Sequence, residues 1–238
     1  MGTSERKQRE REEREQLFLD TAEQLIAAEG FIQLQMAKLA KACDYATGTL
    51  YQHFTSKEDL LMALMARQSA LHLELFERIE QWQAPSRQRI FAICVAEQDF
   101  NRRQANYVKL SQYVMTEAVW ENASEARRQQ LLQCGQPICR IVSGIVQQAI
   151  DEGDLDPQGA STMELAYGTW ALCQGSHTLD HTQGLLEAFS IPRGPMTMYR
   201  NMHRLLNGMQ WQPLLDLSQP TVLEQLVKQI EQHLKIAS

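Results

Sequence analysis

Long apolar runs are what this sequence of 238 residues lacks most plainly. Its uninterrupted hydrophobic stretches are short, far below the roughly 20 residues that a membrane-spanning helix requires. Residues 1–16 (MGTSERKQREREEREQ) are charged throughout and hold no apolar stretch of the kind a secretion signal needs. The expectation is a cytoplasmic protein with no place in a membrane. Glycine and proline are sparse, at 12 and 7. No run of β-branched residues at strand period stands between them, which argues against a sheet. The five cysteines (Cys43, Cys94, Cys134, Cys139 and Cys173) contain no CxxC pair and are odd in number. They are expected to be free thiols rather than a zinc site or a disulfide framework. An excess of basic charge is also missing: 23 Lys and Arg face 29 Asp and Glu, a net charge of −6. That balance opposes a protein that coats nucleic acid wholesale, but it leaves room for a small DNA-reading surface on an acidic body. No phosphate-binding loop, nucleophile elbow or supported Cys–His pair occurs, so no enzymatic activity, cofactor or metal is expected.

What remains is helix nearly everywhere. From Gln16, Leu17, Phe18, Ala22, Leu25 and Ile26 recur at three- and four-residue spacing until Gly30, placed as a helix C-cap. Short helices follow at about 35–42, with Met36, Leu39 and Ala40 facing inward, and at about 46–53. Ser56 opens a longer helix to about residue 82, with Glu58 and Asp59 in its first turn, where the helix dipole favours acids. Further helices are expected over about 87–104, 106–121, 125–152, 159–182, 196–209 and 221–235. The fold class is all-α: an N-terminal three-helix domain (1–58) followed by a larger helical bundle (59–238).

The two short helices are joined by only Cys43, Asp44 and Tyr45. A turn of three or four residues between short helices is the helix-turn-helix arrangement, whose second helix enters the major groove of B-DNA. Asp44 is among the few non-glycine residues that tolerate the positive φ such a turn demands. The second helix offers Thr47, Gly48, Thr49 and Gln52 outward, while Leu50 and Phe54 can anchor it inward. Small and hydroxylic groups permit close approach to base edges and phosphates. Over residues 33–57 the balance is +2, with Lys38, Lys41 and Lys57 against Asp44. Lys57 stands at a helix N-terminus, where an ammonium and backbone N–H groups can hold a phosphate together. In the N-terminal segment Arg6, Lys7, Arg9, Arg11 and Arg14 alternate with five glutamates. An arm in the minor groove and a solvated helix extension laced with ion pairs are both open readings.

The stretch Leu39-Ala40, Gly48-Thr49-Leu50-Tyr51, His53-Phe54, Ser56-Lys57-Glu58 and Leu60, with Ala27-x-x-Gly30-Phe31 upstream, resembles the DNA-binding signature of the TetR family of bacterial transcriptional repressors. The resemblance implies that Thr47, Gly48 and Thr49 face the groove. Tyr51, His53 and Lys57 match positions that grip phosphates, and Lys38, Tyr45 and Gln52 join them as candidate DNA contacts. Asp44 stands where the family has a turn glycine, Tyr45 where a small aliphatic residue is common, and Ala46 where a Ser or Thr caps the recognition helix. The remaining three quarters of the chain match the family only in length and helical layout.

TetR-like proteins use their C-terminal helices for a small-molecule pocket and a two-helix dimer contact. The candidate lining here is rich in aromatics and Met: Phe91, Phe100, Tyr107, Tyr113, Met115, Trp120, Met163, Tyr167 and Trp170. Such side chains suit an apolar or aromatic effector. His177 and His181 stand four apart beside Asp180, which fits a polar patch near a helix end, a dimer contact or, less simply, a metal. The leading expectation is a homodimeric repressor on a double-stranded, pseudo-palindromic operator, released by a small molecule. The alternatives are a helical small-molecule-binding protein whose DNA module is vestigial or turned to protein contacts, kept open by 8 basic against 11 acidic residues among the first sixty, and a metal-dependent enzyme built on His177 and His181.

Overall fold

The structure is a computed structural model that describes residues 2–235. Among the described residues there are helices and no strand. In chain order the helices are α1 (Thr3–Glu29), α2 (Met36–Ala42), α3 (Thr47–Tyr51), α4 (Lys57–Gln81), α5 (Ser86–Arg103), α6 (Ala105–Val114), α7 (Glu117–Asn122), α8 (Glu125–Asp151), α9 (Thr162–Asp180), α10 (Leu185–Ala188), α11 (Pro195–Gly208) and α12 (Pro220–Leu234). None is long and apolar enough to cross a membrane.

One unit combines the residues up to 70 with 104–134, and the other combines 71–103 with 135 onward. The physical reason in the first unit is a shared core. Phe18, Ala22, Leu39, Leu50, Phe54, Leu60 and Leu61 are each wholly buried, and Leu110, Val114, Val119 and Leu131 from beyond residue 100 join them. Each Leu or Phe among them contributes about 1.5–3 kcal/mol by leaving water. The local signals act as the sequence predicts. Gly30 closes α1 at φ 82° with its N–H on the Ile26 carbonyl at 2.9 Å, a left-handed backbone for which glycine carries no Cβ penalty. Ser56 Oγ accepts the Asp59 N–H at 3.1 Å at the head of α4.

Two departures have local causes. The first helix begins at Thr3 rather than near Gln16, because its charged N-terminal half is ordered by i,i+4 pairs, Arg6–Glu10 and Arg9–Glu13, each 3.4 Å. The helix-extension reading of this segment is the one the structure takes. The single helix expected over 106–121 is two, α6 and α7. Thr116 Oγ1 donates to the Tyr113 carbonyl at 2.7 Å at the break, a side-chain bond that competes with helix continuation.

In the second unit, Phe91, Cys94 and Val95 of α5 form the centre of a core with Ile141, Ile145 and Ala149 of α8, Cys173 of α9, Met202 and Leu206 of α11, and Ile230 of α12. Arg87 is 3% exposed and closes the C-terminal end of α11. It donates to the Trp211 carbonyl and to Asn207 Oδ1 at 2.5 Å, and its Nη2 lies 3.3 Å from His203 Nδ1. A cation near the last carbonyls of a helix is favoured by the helix dipole. Burial nevertheless pulls its pKa down to about 10.

Candidate nucleic-acid interface

The turn between α2 and α3 is built by backbone bonds. Cys43 N–H returns to the Leu39 carbonyl at 3.1 Å and Tyr45 N–H to the Ala40 carbonyl at 2.9 Å. Asp44 sits between them at φ 58°, the left-handed conformation that a short polar side chain tolerates. Ala46 occupies the N-cap of α3 with no side-chain cap bond, and Gln35 does the same for α2. Placement of α3 therefore rests on packing, with Leu50 and Phe54 wholly buried beneath it.

On the outer side of α3 the expected DNA contacts separate into groups. Gly48 and Gln52 are exposed, Thr47 and Thr49 half-buried, and Tyr45 and Tyr51 are 38% and 46% exposed. A Cβ built on Gly48 meets no atom within 4 Å, so no internal packing demands glycine there. Lys38 is exposed but engaged, its Nζ 2.6 Å from Glu29 Oε2. Lys57 is half-buried and donates to the Ile32 carbonyl at 2.9 Å, and burial lowers its pKa. His53 does not join the exposed face. It is 6% exposed, its Nδ1 is 3.4 Å from Glu15 Oε2, and its ring stands edge-on to Phe18 at 5.3 Å. Burial lowers the His53 pKa, with Glu15 opposing and the charges of Arg11 and Arg14 adding to the fall. The imidazole is directed inward.

Two cations that the sequence reading placed only in the N-terminal segment stand beside this face. Arg11 Nη2 donates to the Gln52 carbonyl at 3.1 Å, and the Arg14 guanidinium lies 5.5 Å from the centre of the Tyr45 ring. Their signal was periodicity: Arg11, Arg14 and Phe18 are three and four residues apart, so the buried Phe18 carries both arginines to one side of α1.

The aromatic and Met candidates for an effector pocket are divided between the two units. In the first unit Tyr107 lines a cavity of about 230 Å³ with Ile26, Leu64, Gln68 and Leu110, whereas Tyr113 and Met115 are 36% and 53% exposed and Trp120 is half-buried. In the second unit Phe91 is core, and Met163, Tyr167 and Trp170 are 40%, 63% and 54% exposed. These last three recur at four and three residues along α9 and form one apolar stripe. His177 is buried against Asn101, and His181 Nδ1 turns to the His177 carbonyl at 2.8 Å. Among the described residues no three His, Cys, Asp or Glu side chains converge as a metal site would need.

A short helix, a tight turn and a second short helix with an outward side is the arrangement with which DNA-binding regulators of transcription enter the major groove. Residues 18–64 match the model of the family described as bacterial regulatory proteins, tetR family. The match lies in the helix-turn-helix domain, and over these residues the chain is similar to that family. Over 138 residues it is 24% identical to the fatty acid metabolism regulator protein of Bacillus subtilis, covering 58% of this chain and 69% of that one. Its fold is similar to that of the transcriptional regulator FadR of Bacillus subtilis in complex with stearoyl-CoA (TM-score 0.59, 19% identity, 80% of this chain and 96% of that one). It is similar also to that of AibR in complex with isovaleryl coenzyme A and operator DNA (TM-score 0.56, 19% identity, 79% and 95%).

Proposed function

We propose that the protein is a cytoplasmic homodimeric repressor that binds a pseudo-palindromic operator and is released from it by a small effector. The observation that carries this reading is the face of α3: Thr47, Gly48, Thr49, Tyr51 and Gln52 lie outward on a helix whose inner side, Leu50 and Phe54, is locked in the core. In this reading the Thr47–Thr49 segment meets base edges, and Tyr45, Tyr51, Lys38 and Lys57 serve the backbone phosphates. Lys38 and Lys57 would exchange their present partners, Glu29 and the Ile32 carbonyl, for phosphate oxygens. His53 acts through the fold instead. Residues 1–58 form the reading module, and 59–238 hold the effector and dimer functions. The stripe Met163, Tyr167 and Trp170 on α9 is the surface we assign to the second copy, because three large apolar side chains in water on one helix face favour being covered. The two structural neighbours solved with stearoyl-CoA and isovaleryl-CoA make acyl-CoA thioesters the first effectors to screen.

Replacement of Tyr51 by Ala or Thr49 by Val tests the assignment. Each is expected to weaken operator binding by about tenfold or more, on the scale of one lost specific contact, with unchanged helical content by circular dichroism. Normal binding by both variants would place the recognition surface elsewhere.

A further inference from the structure

A second set of contacts reaches the recognition helix from residues far along the chain. Arg127, in the first turn of α8, donates to Glu15 Oε1 on α1 at 2.8 Å and to the His53 carbonyl, 74 residues earlier in sequence, at 3.1 Å. Its guanidinium covers the Phe54 ring at 4.9 Å. The same Glu15 carboxylate meets His53 Nδ1 through its other oxygen, so three side chains share one node. All three are largely withdrawn from water, with side-chain exposures of 14% for Arg127, 21% for Glu15 and 2% for His53.

A neighbouring tie holds the start of α4. Asp59, 1% exposed, accepts the Ser124 N–H at 2.6 Å together with the Thr55 N–H at 2.9 Å and the Thr55 hydroxyl at 2.6 Å. Ser56 Oγ donates to the Asn122 carbonyl at 3.1 Å. The segment that makes these contacts has its own shape fixed, since Arg128 Nη1 donates to the Trp120 and Ala123 carbonyls at 2.6 and 3.1 Å. Together the bonds bracket the exit of α3, residues 53–59, on both sides. That exit matters because α3 is only five residues long and neither it nor α2 has a side-chain cap. A single turn of helix is too short to hold its own conformation in water. Its angle is decided by what its ends are tied to.

We infer that Arg127, through its clasp on Glu15, the His53 carbonyl and the Phe54 ring, is a positioning residue for DNA recognition: it sets the angle of the recognition helix without touching DNA. The inference rests on the DNA-binding reading above. Arg suits the task because its Nη2 serves both acceptors while the planar guanidinium lies over a ring face, a stacking that the compact ammonium of Lys does not offer.

The test uses the full-length chain and a duplex that the wild type itself enriches from a random pool. Arg127→Ala is expected to weaken binding by about tenfold or more, comparable to the loss of a specific contact, at a temperature where the variant is folded. The slope of log affinity against log salt should stay that of the wild type, because no phosphate contact is removed. In hydrogen exchange, amides of residues 50–54 should open faster, while those in the middle of α1 do not. Arg127→Lys should fall between wild type and Arg127→Ala, and it decides the matter if the alanine variant does not fold. Unchanged affinity, or unchanged exchange at 50–54, overturns the inference. A salt slope shallower by about one also overturns it, since Arg127 would then be a phosphate contact. If the wild type enriches no duplex, the regulator reading itself fails. Faster exchange at 50–54 would then still establish the clasp as a property of the fold.

Discussion

His53 and His203 have similar burial and different lessons. By sequence position His53 matches a phosphate contact, yet 6% exposure and the Glu15 carboxylate beside it make it an interior group. His203 carries no motif at all and is the more perturbed. Burial first, and the Arg87 charge second, bring its pKa from the ordinary 6.5 down to about 4. The folded chain therefore holds His203 neutral where the unfolded chain protonates it. By linkage the unfolded state binds more protons between those values, so stability falls as pH drops from about 6.5 towards 4. The thermal midpoint of the wild type should decline across that window, and His203→Gln should flatten the decline. A variant that declines as steeply as the wild type would contradict the assignment. The inward side of α3 was legible because it follows from type and spacing, as with Leu50, which is wholly buried. His53 was not, because burial depends on Glu15 and Phe18, which lie far from it in sequence.

Among the elements, the short pair α2–α3 was the most readable. A four-residue link, 43–46, containing a φ-tolerant Asp44 admits few alternatives. The N-terminal extent of α1 was less readable, because i,i+4 ion pairs leave no hydrophobic period to count. The break between α6 and α7 turns on one hydroxyl, that of Thr116. Helix α9 shows the limit most clearly. Its Met and aromatic residues fit a pocket lining as well as a surface on composition alone, and only their exposure separates the two. The expected consequence belongs to the whole helix face. Trp170→Glu should shift the protein from dimer to monomer in sedimentation and weaken operator binding with it, because two half-sites are then no longer held by one particle. A variant that remains a dimer would remove α9 from the interface. The clasp on Arg127 had no sequence signal, since it joins α8 to α1 and α3 across 74 to 112 residues of chain.

For the molecule as a whole, the net charge of −6 sets the terms on which DNA can be bound. An acidic body is repelled by the phosphate backbone, so in the proposed reading attraction comes from a local set of groups, Lys38, Lys41, Lys57 and the arginines of α1, presented twice by two copies. Two recognition helices in a dimer read half-sites about 34–36 Å apart, one turn of B-DNA, and an inverted repeat follows from the symmetry. The measurement that tests this most directly is selection of bound duplexes from a random pool by the full-length protein at two salt concentrations. Enrichment of an inverted repeat with half-sites about one helical turn apart, fading at the higher salt through counterion release, is the predicted result. No enrichment at either salt, or a preference that ignores salt, would contradict it.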